Sequence, residues 1–89
     1  MKAIVTVVGK DRVGIIAEVC MQLASYNVNV LDISQTVMQG YFTMMIAVDV
    51  SGSNLPLAEL AQQMERKGKD MNLSIRLQRE DIFEAMHRV

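Results

Sequence analysis

Along this 89-residue chain the apolar positions form short blocks whose period changes from two to near four and back, and each period predicts an element. Lys2 to Val8 is dense in β-branched residues, with Ala3, Val5 and Val7 on one side and Ile4, Thr6 and Val8 on the other. Both faces of this strand are largely apolar, which suits the centre of a sheet better than its edge. Gly9 ends the run, and beyond the charged stretch Lys10, Asp11 and Arg12 the period lengthens. Ile16, Val19, Cys20 and Leu23 fall at i, i+3, i+4 and i+7, the stripe of an amphipathic helix of about three turns, with Asp11 placed to cap its first amides. Tyr26 and Asn27 close that helix, since Asn tolerates the left-handed conformation common just past a helix end.

A second strand follows, in which Val28 and Val30 share one phase and Leu31, Ile33 and Val37 the other. The alternation therefore slips by one residue near Val30 and Leu31, as a bulge or a late strand start produces. Gln39 and Gly40 separate this strand from Tyr41 to Val50, and the Gly supplies the positive φ of a tight hairpin joining two antiparallel strands. Ser51 to Asn54 is polar turn material, and Pro56 fits the first turn of a second helix, where its missing N–H costs nothing. Leu57, Leu60, Ala61 and Met64 repeat the helical spacing; Arg66 and Lys67 suit the C-terminus, with Gly68 or Asn72 marking its end. Leu73, Ile75 and Leu77 then alternate with Ser74, Arg76 and Gln78 as a half-exposed strand. Asp81 to Val89 reads as a short final helix capped by Asp81, with Ile82, Phe83 and Met86 as its apolar contacts.

This order, β-α-β-β-α-β with a terminal helix, folds most simply as an α+β, ferredoxin-like βαββαβ sandwich, because crossovers between parallel strands are right-handed. Its antiparallel four-stranded sheet has the expected order 4-1-3-2, with two helices on one face. Residues 1–79 form the domain and residues 80–89 a C-terminal helical extension. The second strand then lies at an edge, where unpaired backbone groups invite a partner strand, and homodimerisation satisfies them. Second-strand edges, helix faces or both are available for the pairing.

Composition narrows the function. With 51% hydrophobic residues the chain builds one core and is too short for a second. A net charge of -1 with scattered Lys and Arg offers no basic track, so no nucleic acid is expected as partner. One cysteine, Cys20, excludes an internal disulfide, and the absence of a signal sequence or a long apolar run points to a cytoplasmic location with no membrane contact.

Gly9 and Gly14 bracket the strand-to-helix loop with the spacing that opens a phosphate loop, yet Ile15 and Ile16 stand where Lys and Ser or Thr are needed, which disfavours a nucleoside triphosphate. Free N–H groups at the helix start favour a smaller anion such as a carboxylate; the same glycines also suit a plain turn. His87 has no neighbour that would build a metal site or nucleophile pair, nor has Cys20, read as a small buried hydrophobe. Among eight methionines, Met38, Met44 and Met45 surround one hairpin, a pattern for copper(I), but Met44 and Met45 point to opposite strand faces, so core filling or an adaptable interface is the simpler reading. Glu80, Asp81 and Glu84 read as helix-start charges on a solvated face, and Asp32 and Asp49 as strand charges that discourage aggregation. No catalytic constellation emerges and no cofactor is implied; the chain reads as a non-enzyme.

The element order, the loop GKDRVGI, the helix after it and the asparagine-bearing turn NVNVLDIS together resemble an ACT domain over residues 1–79. With the ending EDIFEAMHRV the chain is similar to stand-alone, single-ACT-domain proteins and, more distantly, to the ACT-type repressor of the glycine cleavage system. The resemblance implies a regulatory module that binds a small ligand, usually an amino acid, at a homodimer interface, between the first loop of one copy and the helix-to-strand turn of the other. Carried onto this chain, Gly9, Asp11, Arg12, Gly14 and Ile15 supply the loop and helix start, Asn29 hydrogen-bonds the ligand, Val30 packs on it, and Asn27 is adjacent. Two positions depart from the pattern. Gly9 replaces a side-chain donor found in some members, and Asp11 replaces a familiar amide, favouring a ligand ammonium and leaving the carboxylate to the helix N-terminus or Arg12. The alternatives are a ligand-free protein–protein interaction module that docks an unknown protein partner and, less well supported, a small acylphosphatase-like enzyme, for which Arg12 and Asn29 are a slight basis.

Overall fold

A computed structural model describes residues 1–86. In chain order it contains β1 (Lys2–Lys10), α1 (Ile15–Ser25), β2 (Asn29–Met38), β3 (Tyr41–Asp49), α2 (Leu57–Asp70), β4 (Ser74–Arg79) and α3 (Glu80–Met86). The sheet runs β2-β3-β1-β4 with every neighbouring pair antiparallel, which is the expected order read from its other edge. β1, apolar on both sides, is central as its pattern requires.

The buried side chains of the sheet share one face. Val5 stands between Ile46 and Leu77, and Val7 between Met44 and Ile75. Leu60 and Met64 of α2 and Val19 and Leu23 of α1 join them in a single core cluster, so both helices cover that face. The other face carries Thr6, Thr43, Ser74 and the exposed Val8 and Met45, and no helix layer covers its middle.

Three local readings are met in detail. Asn27 adopts φ 61° and the Val28 N–H returns to the Leu23 carbonyl at 3.1 Å, closing α1. The slip near Leu31 is a bulge, with the β2–β3 register shifting between Val30 and Asp32. Gln39 and Gly40, at φ 52° and 80°, form a two-residue hairpin whose twist matches the flanking strands.

Other expectations are corrected. α1 is capped by Gly14 at φ 93° with no side-chain cap, so Asp11 does not cap it. The helix thus starts at Ile15, and its buried stripe is Ile15, Val19 and Leu23, while Ile16 is 37% exposed and Cys20 only half-buried. One residue of offset turns the stripe by about 100°, enough to exchange the roles of two adjacent isoleucines. Gly68 does not stop α2, which runs on to Asp70; Asn72, at φ 62°, makes the turn. Gly68 is instead where helix and sheet approach closely, because a Cβ there would lie 2.8 Å from Ile75 Cγ1 and 2.9 Å from the Leu73 carbonyl oxygen. α3 begins at Glu80, and Asp81 sits in its first turn, accepting the Ile82 N–H and pairing with Arg79, each at 2.9 Å. Ile82 is exposed rather than packed, and Phe83 is half-buried. His87 and the side chain of Met86 lie outside the described part of the chain.

Candidate functional site

The loop between β1 and α1 is built from its two ends. At one, Gly9 pairs with Phe42 and Lys10 with Tyr41, and the Asp11 N–H donates to the Gly40 carbonyl at 2.9 Å, which ties the loop to the β2–β3 hairpin. At the other, Gly14 takes the left-handed turn that lets α1 start, and no side chain caps the first-turn N–H groups. Arg12 and Glu18 form an exposed ion pair at 3.9 Å beside that helix end.

Two of the loop residues have their side-chain positions accounted for by packing. Ile15 is 2% exposed, so its side chain is committed to the core and does not reach a ligand. Gly9 lacks a side chain because Leu73 Cδ2 occupies the space a Cβ would need. A side-chain donor at this position would have to displace the Leu73 methyl.

The second group lies after α1. Asn27 Nδ2 donates to the Gly52 carbonyl at 2.9 Å, and the Asn54 N–H to the Tyr26 carbonyl at 3.0 Å, so this turn is clasped to the loop over residues 51–54. Asn29 is exposed and pairs with Asp49, while Val30 is half-buried against the core. Asp49 in turn accepts the Ser51 N–H at 2.9 Å and faces the N-terminal ammonium at 3.4 Å. The backbone and hydroxyl of Ser51, and then that ammonium, hold its carboxyl at about 2, below the ordinary 3.8. Neither the Asn27–Gly52 clasp nor the Met1–Asp49 pair has a local sequence signal, because their partners are 25 and 48 residues apart.

Within one chain the two groups do not meet. Gly9 is in register with Phe42 and Asn29 with Asp49, positions seven residues apart on β3, or about 23 Å along the strand. What joins them is β2, an edge strand whose residues from Leu31 to Met38 are all exposed and which hydrogen-bonds on one side only. Leu31, Ile33 and Val37 are exposed along it, 47%, 38% and 54% respectively, a row of apolar side chains with no cover. Among the described residues no cluster of three His, Cys, Asp or Glu side chains is placed to hold a metal ion, and no helix is long and apolar enough to cross a membrane.

Known proteins share both this sequence and this geometry. The family model for the ACT domain matches residues 2–78. A UPF0237 protein of Bifidobacterium longum is 52% identical over 88 residues, which is 99% of this chain and 98% of that protein. The solved structure of an ACT domain protein from Streptococcus pneumoniae superposes with a TM-score of 0.83 at 45% identity, covering 94% of each chain. A structure described as that of a glycine cleavage system transcriptional repressor shares the fold alone, with a TM-score of 0.73 at 22% identity over 88% of this chain and 44% of that one. With its sheet order, its glycine-capped first helix and these relatives, the chain belongs to the ACT domain family.

Proposed function

We propose that this chain is a non-catalytic, cytoplasmic regulatory module that binds an amino acid between two copies of itself and signals to a partner protein from the ligated dimer. ACT domains are regulatory ligand-binding modules, and the observation that carries the finer reading is the free β2 edge with the two site groups at its opposite ends. When β2 of one copy runs antiparallel to β2 of another about a two-fold axis, the start of each strand lies beside the end of its mate. Asn29 and Val30 of one copy then approach the hairpin of the other, to which the Asp11 loop is tied. Pairing also covers Leu31, Ile33 and Val37, the apolar row that the monomer leaves in water.

In this arrangement Asp11 attracts the ligand ammonium, the open N-terminus of α1 and Arg12 receive the carboxylate, and Asn29 hydrogen-bonds the ligand from the other copy. A thermal-shift screen of the whole chain against the twenty amino acids, with oligomeric mass read in parallel, tests the reading. A ligand at about 100 times its Kd adds about 2.7 kcal/mol of stability. Asn29→Ala and Asp11→Ala are expected to abolish the shift while leaving the unliganded melting temperature near that of the parent. If neither substitution changes the affinity of a confirmed ligand, these positions do not contact it. If no amino acid shifts a stable dimer, the chain is a ligand-free interaction module instead.

A further inference from the structure

The sheet has a second edge, and it differs from the first in charge and in shape. β4 hydrogen-bonds to β1 along one side, so alternate residues turn N–H and C=O groups outward on the other. α2 lies beside it, and between helix and strand edge runs a groove of about 480 Å³, walled by residues 73–78 and by Ala61, Glu65 and Lys69. A shallower hollow of about 310 Å³ continues it across α2 past Arg66.

The charge of this strip is opposite to that of the molecule. Arg66, Lys69 and Arg76 stand against the single carboxylate of Glu65, leaving two positive charges in surplus on a chain whose net charge is -1. Among the described residues none of these three cations has an ion-pair partner within 4.0 Å. We propose that the groove between α2 and β4 docks an extended, acidic segment of a partner protein, which adds to β4 as a fifth strand.

The two cations that flank the strand edge suit such a segment because side chains alternate along it. One set of the added strand's side chains faces α2, where Ala61 offers apolar surface and Lys69 a charge; the other set faces the open side of the sheet beside Arg76. The backbone ladder supplies affinity and the charges select acidic sequences. A second copy of this chain fits the edge less well. Pairing β4 with β4 about Arg76 sets it against the same arginine of the other copy, a like-charge contact. β2 of another copy brings one carboxylate, Asp32, already engaged with the Ile33 N–H at 2.9 Å, and a bulge breaks its course between Val30 and Asp32. The site lies at the edge away from β2, so a dimer formed through β2 leaves a β4 edge free at each end of the joined sheet.

The test uses the full chain, isotopically labelled, titrated with a short, terminally blocked peptide of alternating valine and glutamate. Control peptides replace glutamate with lysine or place a proline at the centre. The proposal expects saturable binding, with amide signals of residues 73–78 shifting, and no binding of either control. Arg76→Glu and Lys69→Glu, both at the surface, are expected to weaken binding by about tenfold each while the melting temperature stays close to that of the parent. The proposal is overturned if the lysine peptide binds as well as the glutamate one, if the shifts fall on β2 instead of β4, or if millimolar peptide leaves β4 unmoved. Concentration-dependent shifts at β4 without peptide would likewise overturn it, by assigning the edge to a second copy.

Discussion

Replacing Gly68 with alanine separates what a helix prefers from what the fold permits. Gly68 lies inside α2, where alanine is favoured by roughly 1 kcal/mol on helix propensity alone. Its Cβ, however, would stand 2.8 Å from Ile75 Cγ1 and 2.9 Å from the Leu73 carbonyl oxygen, and the second of these is backbone that cannot rotate away. The Gly68 carbonyl also accepts the Leu73 N–H at 2.7 Å, so helix and strand cannot separate there without lengthening a bond worth about 1 kcal/mol. Overpacking of this kind costs about 1–3 kcal/mol, and the strained bond and the propensity gain roughly cancel, so the variant is expected to lose about 1–3 kcal/mol. At about 4–8 °C per kcal/mol for a domain of this size, the melting temperature falls by roughly 4–24 °C. Urea unfolding followed by circular dichroism measures it, with Gln62→Ala on the exposed side of the same helix as the neutral control. A second variant, Ile75→Ala, removes the Cγ1 contact, and combined with Gly68→Ala it should show a loss smaller than the sum of the two singles. A stabilised Gly68→Ala protein, or strict additivity, would refute the close-approach argument.

The corrected phase of α1 predicts that Ile15→Ala costs about 2–5 kcal/mol and Ile16→Ala under about 1 kcal/mol, read from denaturant midpoints; equal losses would contradict the assigned stripe. Gly14→Ala, held at φ 93° with open space around it, is expected to cost about 1–2 kcal/mol from backbone strain alone, with Gly14→Asn intermediate. Asp49 carries a pH dependence: its carboxyl titrates near 2 in the folded protein against an ordinary 3.8, so its contribution is complete above the higher value and disappears as pH falls toward the lower. The stability difference between the parent and Asp49→Asn should therefore shrink over that window in acid denaturation series, and acetylating the N-terminal amine should narrow it at neutral pH.

Elements governed by nearest neighbours were legible in the chain itself. Leu73, Ile75 and Leu77 alternate because only one face of β4 meets the helices; Gln39 and Gly40 hold positive φ because a two-residue hairpin demands it; and the Val30–Leu31 slip in pattern is the bulge. The order of these elements, with the handedness of crossovers, was enough to place β1 at the centre and β2 and β4 at the edges. The loop and the Asn turn could be picked out for the same reason, since each is defined by its own few residues.

Tertiary structure decided whatever depends on two distant segments meeting. Periodicity cannot choose between Ile15 and Ile16, because both are isoleucine and the helix start, set by the backbone of Gly14, fixes which one turns inward. It leaves Gly68 and Asn72 equally open as the stop of α2, whereas packing makes Asn72 the turn and Gly68 the point where β4 passes too close for a side chain. It cannot see that Leu73 fills the space beside Gly9, or that Asn27 holds Gly52 across 25 residues. Nor can it say which apolar rows are covered: the alternation in β2 marks Ile33 and Val37 as apolar, and only the placement of the helices leaves them in water. Local sequence determined the elements through hydrogen-bond geometry and steric preference, while coverage, close approach and the separation of the two site groups arose from packing those elements together.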